Sequence, residues 1–258
     1  MKALISILFL IMANISFAED MRYYDVEIII IENLSENAKN AENWPLQVNL
    51  TPPEKTVQLG QPVLSEWLPQ DIDLKLSYTE LASSAYQLTS EVKKISESKT
   101  QRVIFHTAWR QPGLDKHQAL PIYFKREISA APVIEDATNH EQDKELSTLE
   151  NIKNESRPTI LEGLLRVTLA RYLHFEAELT HREKLPEVVN NEYPFSVLDT
   201  ESELNKIEKQ GVIHLKQDRR RIRSNELHYL DHPALGILIR ITPYKSPEDI
   251  ANELSSKQ

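Results

Sequence analysis

Two histidines and an aspartate stand close together near the end of the chain, in His228-Tyr-Leu-Asp231-His232. The spacing mimics the inverted zinc-protease pattern H-x-x-E-H, in which a helix sets both histidines on one face and the acid beside a metal-bound water. Here Asp takes the place of Glu, and Pro233 follows the second histidine directly. Proline disfavours the helical region for the residue before it, so the segment reads as a tight connection between two strands. In that reading Asp231 and His232 hydrogen-bond turn backbone, and Leu227, Tyr229 or Leu230 anchors the turn. No G-x-S-x-G elbow presents a serine nucleophile, and with only five glycines neither G-x-G-x-x-G nor the Walker pattern occurs. These patterns lead to no expected metal or cofactor site.

A second concentration of chemistry lies just upstream, where Arg219, Arg220, Arg221 and Arg223 surround Ile222. If Gly211–Ser224 is a strand, Arg219, Arg221 and Arg223 share one face while Arg220 and Ile222 point the other way. Guanidiniums stacked along one face repel unless carboxylates or an anionic ligand sit between them. Two partners are open at this point. One is an internal ladder with Glu162, Glu176 and Glu178, which with Arg166 lie on the opposite-parity face of the 159–181 segment. The other is an anionic ligand. Trp109 and Arg110, at the end of "HTAWRQP", form a third candidate, either a sugar-stacking and carboxylate-binding edge or a core Trp beside a surface Arg.

The elements that must position these residues follow from periodicity. "RYYDVEIIIIEN" (22–33) is a short β-rich run that reads as a buried strand. The Asn/Glu/Pro-rich stretch after it contains Trp44 and Trp67, whose rings imply that parts of this loop fold back on the body. In Ser77–Ser98, Leu81, Ala85, Leu88, Val92 and Ile95 recur at helical spacing, and Ser77 with Glu80 forms a capping-box pattern. Gln101–Gly113 alternates Val103, Phe105, Thr107 and Trp109 against Ile104, His106, Ala108 and Arg110, and predicts a strand stopped by Pro112-Gly113. Thr159–His181 fits a helix face in part. Its clean alternation through Leu161, Leu165, Val167, Leu169, Leu173, Phe175 and Leu179 favours one long strand bent near the middle. Residues 129–158 lose aromatics and gain Glu, Asn and Lys, which predicts a disordered insertion. A second loop spans Arg182–Gln210, "LGILIRITPY" (235–244) is a last apolar strand, and 246–258 is a polar tail. The expected fold is α+β: a single domain over 19–245, with an antiparallel sheet, one main amphipathic helix and long polar insertions.

Composition bounds the rest. The 258 residues carry 30 Lys plus Arg against 39 Asp plus Glu, a net charge of −9 that argues against general nucleic-acid binding. "MKALISILFLIMANISFAED" has a basic start, an apolar stretch too short to span a bilayer, and Ser16-Phe17-Ala18 at its end. It predicts a cleaved signal peptide, 1–18, rather than a retained anchor, with the mature chain starting near Glu19 and no membrane span left after cleavage. No Cys stands at the cleavage point for lipid attachment, and none occurs elsewhere, so disulfides, zinc-thiolate sites and thiol nucleophiles are excluded. An exported protein held by packing alone suits a bacterial periplasm.

"YDVEIIII", "HTAWRQP", "LEGLLRVTLARYLHFEAEL" and "RRRIRSNELHYLDHPALGILIRITPY", in that order, resemble the CsiV family of periplasmic peptidoglycan-binding proteins over about Tyr23–Tyr244. The loops at 34–70, 126–158 and 183–210 carry none of the likeness. The resemblance implies a non-enzymatic role in cell-wall growth, without cofactor. The implied partners are peptidoglycan and the lipoprotein activator of a class A penicillin-binding protein. It supplies no catalytic residues. Residue chemistry selects Trp109, Arg110, Arg171, Tyr172, Arg221, Arg223, His228 and Tyr229 for glycan or partner contact, since aromatic faces stack on sugars and arginines take carboxylates in bidentate pairs. Two alternatives stand beside this: a protein–protein adaptor without glycan contact, and a metal-dependent hydrolase using His228, Asp231 and His232.

Overall fold

The run Ile28–Ile31 is apolar at every position, and it lies where both faces of a strand are covered. The computed structural model describes residues 21–39, 41–129, 158–184 and 211–247, with 251 and 255. The expected signal segment 1–18, nearly all of the 129–158 insertion, most of the second loop and much of the tail lie outside them. Strand β1 (Tyr23–Asn33) is the middle of a five-stranded sheet. It pairs antiparallel with β3 (Gln101–Pro112) and with β9 (Leu235–Pro243). The two-residue β2 (Thr79–Glu80) borders β3, and β8 (Leu227–Asp231) borders β9. A second, four-stranded antiparallel sheet runs β4 (Ile122–Ile128), β5 (Thr159–Leu169), β6 (Leu173–Glu183) and β7 (Ile213–Ile222).

The core is the space between the two sheets. Val26, Ile28, Ile30, Trp109, Ile237 and Ile239 from the first sheet meet Ile122, Leu161, Leu165, Phe175 and Leu179 from the second. On the outer face of the first sheet Ile29 and Ile31 pack against Leu88 and Ile95, so β1 is apolar on both sides and shows no alternation. Antiparallel sheets dominate, with one main helix, so α+β describes the content only broadly.

Three expectations need correction. The helix expected over Ser77–Ser98 is confined to Thr89–Ser96. Upstream of it, Tyr78 takes a left-handed backbone (φ 56°) and buries its ring, and its hydroxyl accepts the Leu120 N–H at 2.8 Å. Thr79 and Glu80 then pair with Arg110 and Trp109. The Ser77 hydroxyl donates to the Asp73 carbonyl instead of capping a helix. Tertiary anchors thus override the helical period at the front of the segment, while its second half keeps the predicted buried Leu88 and Ile95.

The 159–181 segment is not one bent strand. It is a hairpin, with β5 and β6 reversing at Ala170-Arg171-Tyr172 and Leu169 facing Leu173. A three-residue loop preserves parity, so the alternating apolar face survives the reversal. None of those three residues is Gly, Pro, Asn or Asp, and the turn therefore left no mark in the composition. Third, a register shift between Ile30 and Ile31 makes Ile104 an extra residue in β3. Ile104 joins the inter-sheet core, while Val103 turns to the helix side with Ile29 and Ile31.

Gly163 shows how tightly cross-strand neighbours fill the inner face of the second sheet. A Cβ there would lie 2.5 Å from Phe124 Cζ and 2.6 Å from Leu179 Cδ2. Phe124 is itself stacked on Phe105, with centroids 4.4 Å apart. Gly163→Ala is expected to cost about 1–3 kcal/mol by overpacking, read as a lower urea midpoint at unchanged m-value.

Candidate functional site

The eight residues selected from sequence separate into a core position, a structural pair, an exposed edge and one clustered corner. Trp109 is fully buried, and its Nε1–H donates to Gln111 Oε1 at 2.8 Å. Its ring faces are covered by core and cannot stack on a sugar in this conformation. Arg110 lies on the outer face of the first sheet, where its Nε and Nη2 donate to both oxygens of Asp25 at 2.6 and 2.9 Å. Its guanidinium sits 3.4 Å above the Tyr244 ring, so its fork is already engaged within the protein. Burial lowers its pKa, but the Asp25 carboxylate and the Tyr244 hydroxyl together outweigh that and raise it above the usual value.

Tyr229 sits on the outer face of edge strand β8, half exposed, with its ring over Gly236. His228, on the opposite side of that strand, accepts the Arg223 N–H on Nε2 at 3.1 Å. His232 Nδ1 accepts the N–H groups of Ala234 and Leu235, the turn role expected for it, while Leu230 is the buried anchor. The two histidines thus each direct a ring nitrogen at backbone. Among the described residues no three His, Asp or Glu side chains group as a metal would require.

The corner is where β5 turns into β6 beside the end of β7. Arg221 faces His174 across the strands and lies 3.4 Å above the half-exposed Tyr172 ring, with the Arg171 guanidinium 5.5 Å from the same ring. Stacking fixes the guanidinium plane while its in-plane N–H groups stay free for a carboxylate or phosphate. Arg219 is exposed beside it, while Arg220, also exposed, lies opposite Phe175 on the other side of β7. His174 registers the local charge: burial, then the guanidiniums of Arg219 and Arg221, hold its imidazole below the usual histidine range. Arg223 lies just past the strand, 3.6 Å from Glu226.

The internal glutamate ladder does not engage these arginines. Glu162 accepts the Tyr123 hydroxyl at 2.7 Å and lies 3.8 Å from Arg182. Glu176 lies 3.7 Å from Arg166, and Glu178 is shared by His214 at 3.0 Å and Lys216 at 3.9 Å. Arg219, Arg220 and Arg221 form no ion pair with any described residue. What remains is a cationic, aromatic corner whose Arg219, Arg220 and Arg221 are exposed and carry no carboxylate partner among the described residues.

Along the same outer face, a groove of about 230 Å³ opens between the 51–53 loop and β5–β7. Sequence reasoning missed it. Its charged residues carry the even-position charge pattern noted in β5 and β6, but only the strand pairing shows that Lys216 and Asp218 stand next to them.

Among the described residues no helix is long and apolar enough to cross a membrane. No curated protein and no solved structure matches the chain. A family model does, over residues 2–244, and its description is peptidoglycan-binding protein, CsiV. With nearly its whole length matched, the chain belongs to the CsiV family of peptidoglycan-binding proteins.

Proposed function

We propose that this protein is a non-enzymatic accessory of cell-wall synthesis. It is exported to the periplasm by a cleaved signal peptide, binds peptidoglycan, and supports a class A penicillin-binding protein through that enzyme's lipoprotein activator. The observation that carries the binding surface is the Arg171–Tyr172–Arg221 stack, with Arg219 and Arg223 beside it, open to solvent and without internal carboxylates on Arg221. Carboxylates are the anions peptidoglycan offers in quantity, and a planar guanidinium held on a tyrosine is suited to them.

Purified sacculi should retain the wild-type protein, and retention should fall as salt rises. Arg171→Glu/Arg221→Glu should reduce retention about thirtyfold, as two exposed charge contacts near 1 kcal/mol each would require. Failure of the wild type to be retained overturns glycan or peptide binding; equal retention of both proteins removes this corner from it. The exposed Leu227 and Tyr229 on the outer face of edge strand β8 favour a second reading, a protein adaptor. Retention only after addition of the lipoprotein activator would select that reading.

A further inference from the structure

We infer that the groove beside the arginine corner binds the free zwitterionic end of a diamino-acid side chain in an un-cross-linked stem peptide. The inference rests on the reading that this chain binds peptidoglycan. It follows from four properties of the groove.

The groove carries both signs of charge, with Arg166 and Lys216 against Glu176, Glu178 and Asp218. Its internal pairs are loose: Arg166–Glu176 at 3.7 Å and Lys216–Glu178 at 3.9 Å lie beyond hydrogen-bond distance. Arg166 Nε is buried without a hydrogen-bond partner, and the Asp218 carboxylate has no ion-pair partner among the described residues. Donors and acceptors of both signs thus stand ready for a ligand that brings the complement of each.

Second, no aromatic side chain lines the groove, whose apolar lining is Pro53, Pro121, Leu164, Leu165 and Ala177. Sugar rings are held by stacking on aromatic faces, so the groove suits peptide rather than glycan. Third, its volume of about 230 Å³ is below the range that encloses a drug-sized ligand, about 300–1,000 Å³. A groove of this size covers one long side chain more fully than it would a disaccharide. Fourth, Asp218 adjoins Arg219, so a peptide entering the groove leaves its remaining carboxylates at the arginine corner.

A diamino-acid side chain that ends in both an amine and a carboxylate matches this set. The ammonium meets Asp218 and Glu176, and the carboxylate meets Lys216 and Arg166. Cross-linking converts that amine of the acceptor stem to an amide and removes its charge. The groove therefore distinguishes stems with a free side-chain amine from stems acylated there as cross-link acceptors.

The test uses the mature full chain and three probes: an un-cross-linked disaccharide-tetrapeptide, the same muropeptide with its side-chain amine N-acetylated, and the peptide-free disaccharide. Calorimetric titration should show the first binding about tenfold more tightly than the second, the loss of one charge-assisted contact. The disaccharide should not bind. Asp218→Asn, an exposed substitution, should weaken the first probe to the level of the second and leave the second unchanged. Equal affinity for the two muropeptides, or an Asp218→Asn effect of the same size on both, overturns the inference. If the wild type is retained on sacculi in either of those cases, the peptidoglycan reading stands and only the groove assignment falls. Absence of retention overturns the reading itself.

Discussion

Trp109→Ala is expected to lower the free energy of unfolding by about 3–5 kcal/mol, while the molecules that remain folded keep wild-type retention on sacculi. The indole is fully buried between the sheets. Its Nε1–H holds Gln111 Oε1, and the Gln111 amide in turn donates to the Val167 carbonyl of β5 at 3.2 Å. Removing the ring leaves a cavity and frees an amide that ties one sheet to the other, and both effects act in the same direction. Trp109→Phe keeps most of the volume and loses the hydrogen bond, so it should fall between wild type and alanine. Urea denaturation measures the first quantity. Retention measured at a temperature where the variant is still folded gives the second. A stable alanine variant that no longer binds would make Trp109 a ligand contact and refute the core assignment.

That contrast also shows what the sequence could and could not convey. The buried β1, the strand over 101–112, the last apolar strand and the turn role of His232 were legible because each depends on local pattern: an apolar run, an alternation, a proline after histidine. The helix start was not, because Tyr78 is placed by the Leu120 backbone from a distant segment. The β5–β6 reversal was not, because Ala170-Arg171-Tyr172 carries no turn-forming residue and its odd length preserves the alternation.

The site divides in the same way. An excess of arginines over nearby carboxylates was visible, but which glutamate met which cation depended on strand pairing. His214, Lys216, Arg166 and Arg182 take the glutamates. Arg221 is thereby left to stack on Tyr172, a residue from another strand's turn. Trp109 and Arg110 are adjacent in sequence and face opposite sides of the sheet, one into the core and one onto Asp25.

Glu27→Ala is expected to cost about 3–5 kcal/mol, the range for removing one partner of a buried polar pair, and to loosen the helix Thr89–Ser96. Glu27 is buried on the outer face of β1, and its carboxylate accepts the N–H groups of Gln87 at 2.7 Å and Leu88 at 3.0 Å, immediately before the helix. The His106 ring donates to it at 2.7 Å, and Tyr86 packs edge-on against that ring. Alanine would leave two backbone donors and an imidazole without an acceptor, above the point where Leu88 and Ile95 close on Ile29 and Ile31. Burial alone would raise the carboxyl pKa, but the bonds from His106, Gln87 and Leu88 outweigh it and hold the group below its usual value of 4.5. Because the folded-state value lies below the unfolded one, the stabilisation is fully present above pH 4.5 and is lost as pH falls through the depressed value. Glu27→Gln should therefore be less stable than wild type at neutral pH and should lose less of its stability on acidification. Thermal melts at pH 7 and pH 3 would show the gap between the two proteins narrowing. A gap that stays constant would mean that the Glu27 charge contributes nothing to holding the helix on the sheet.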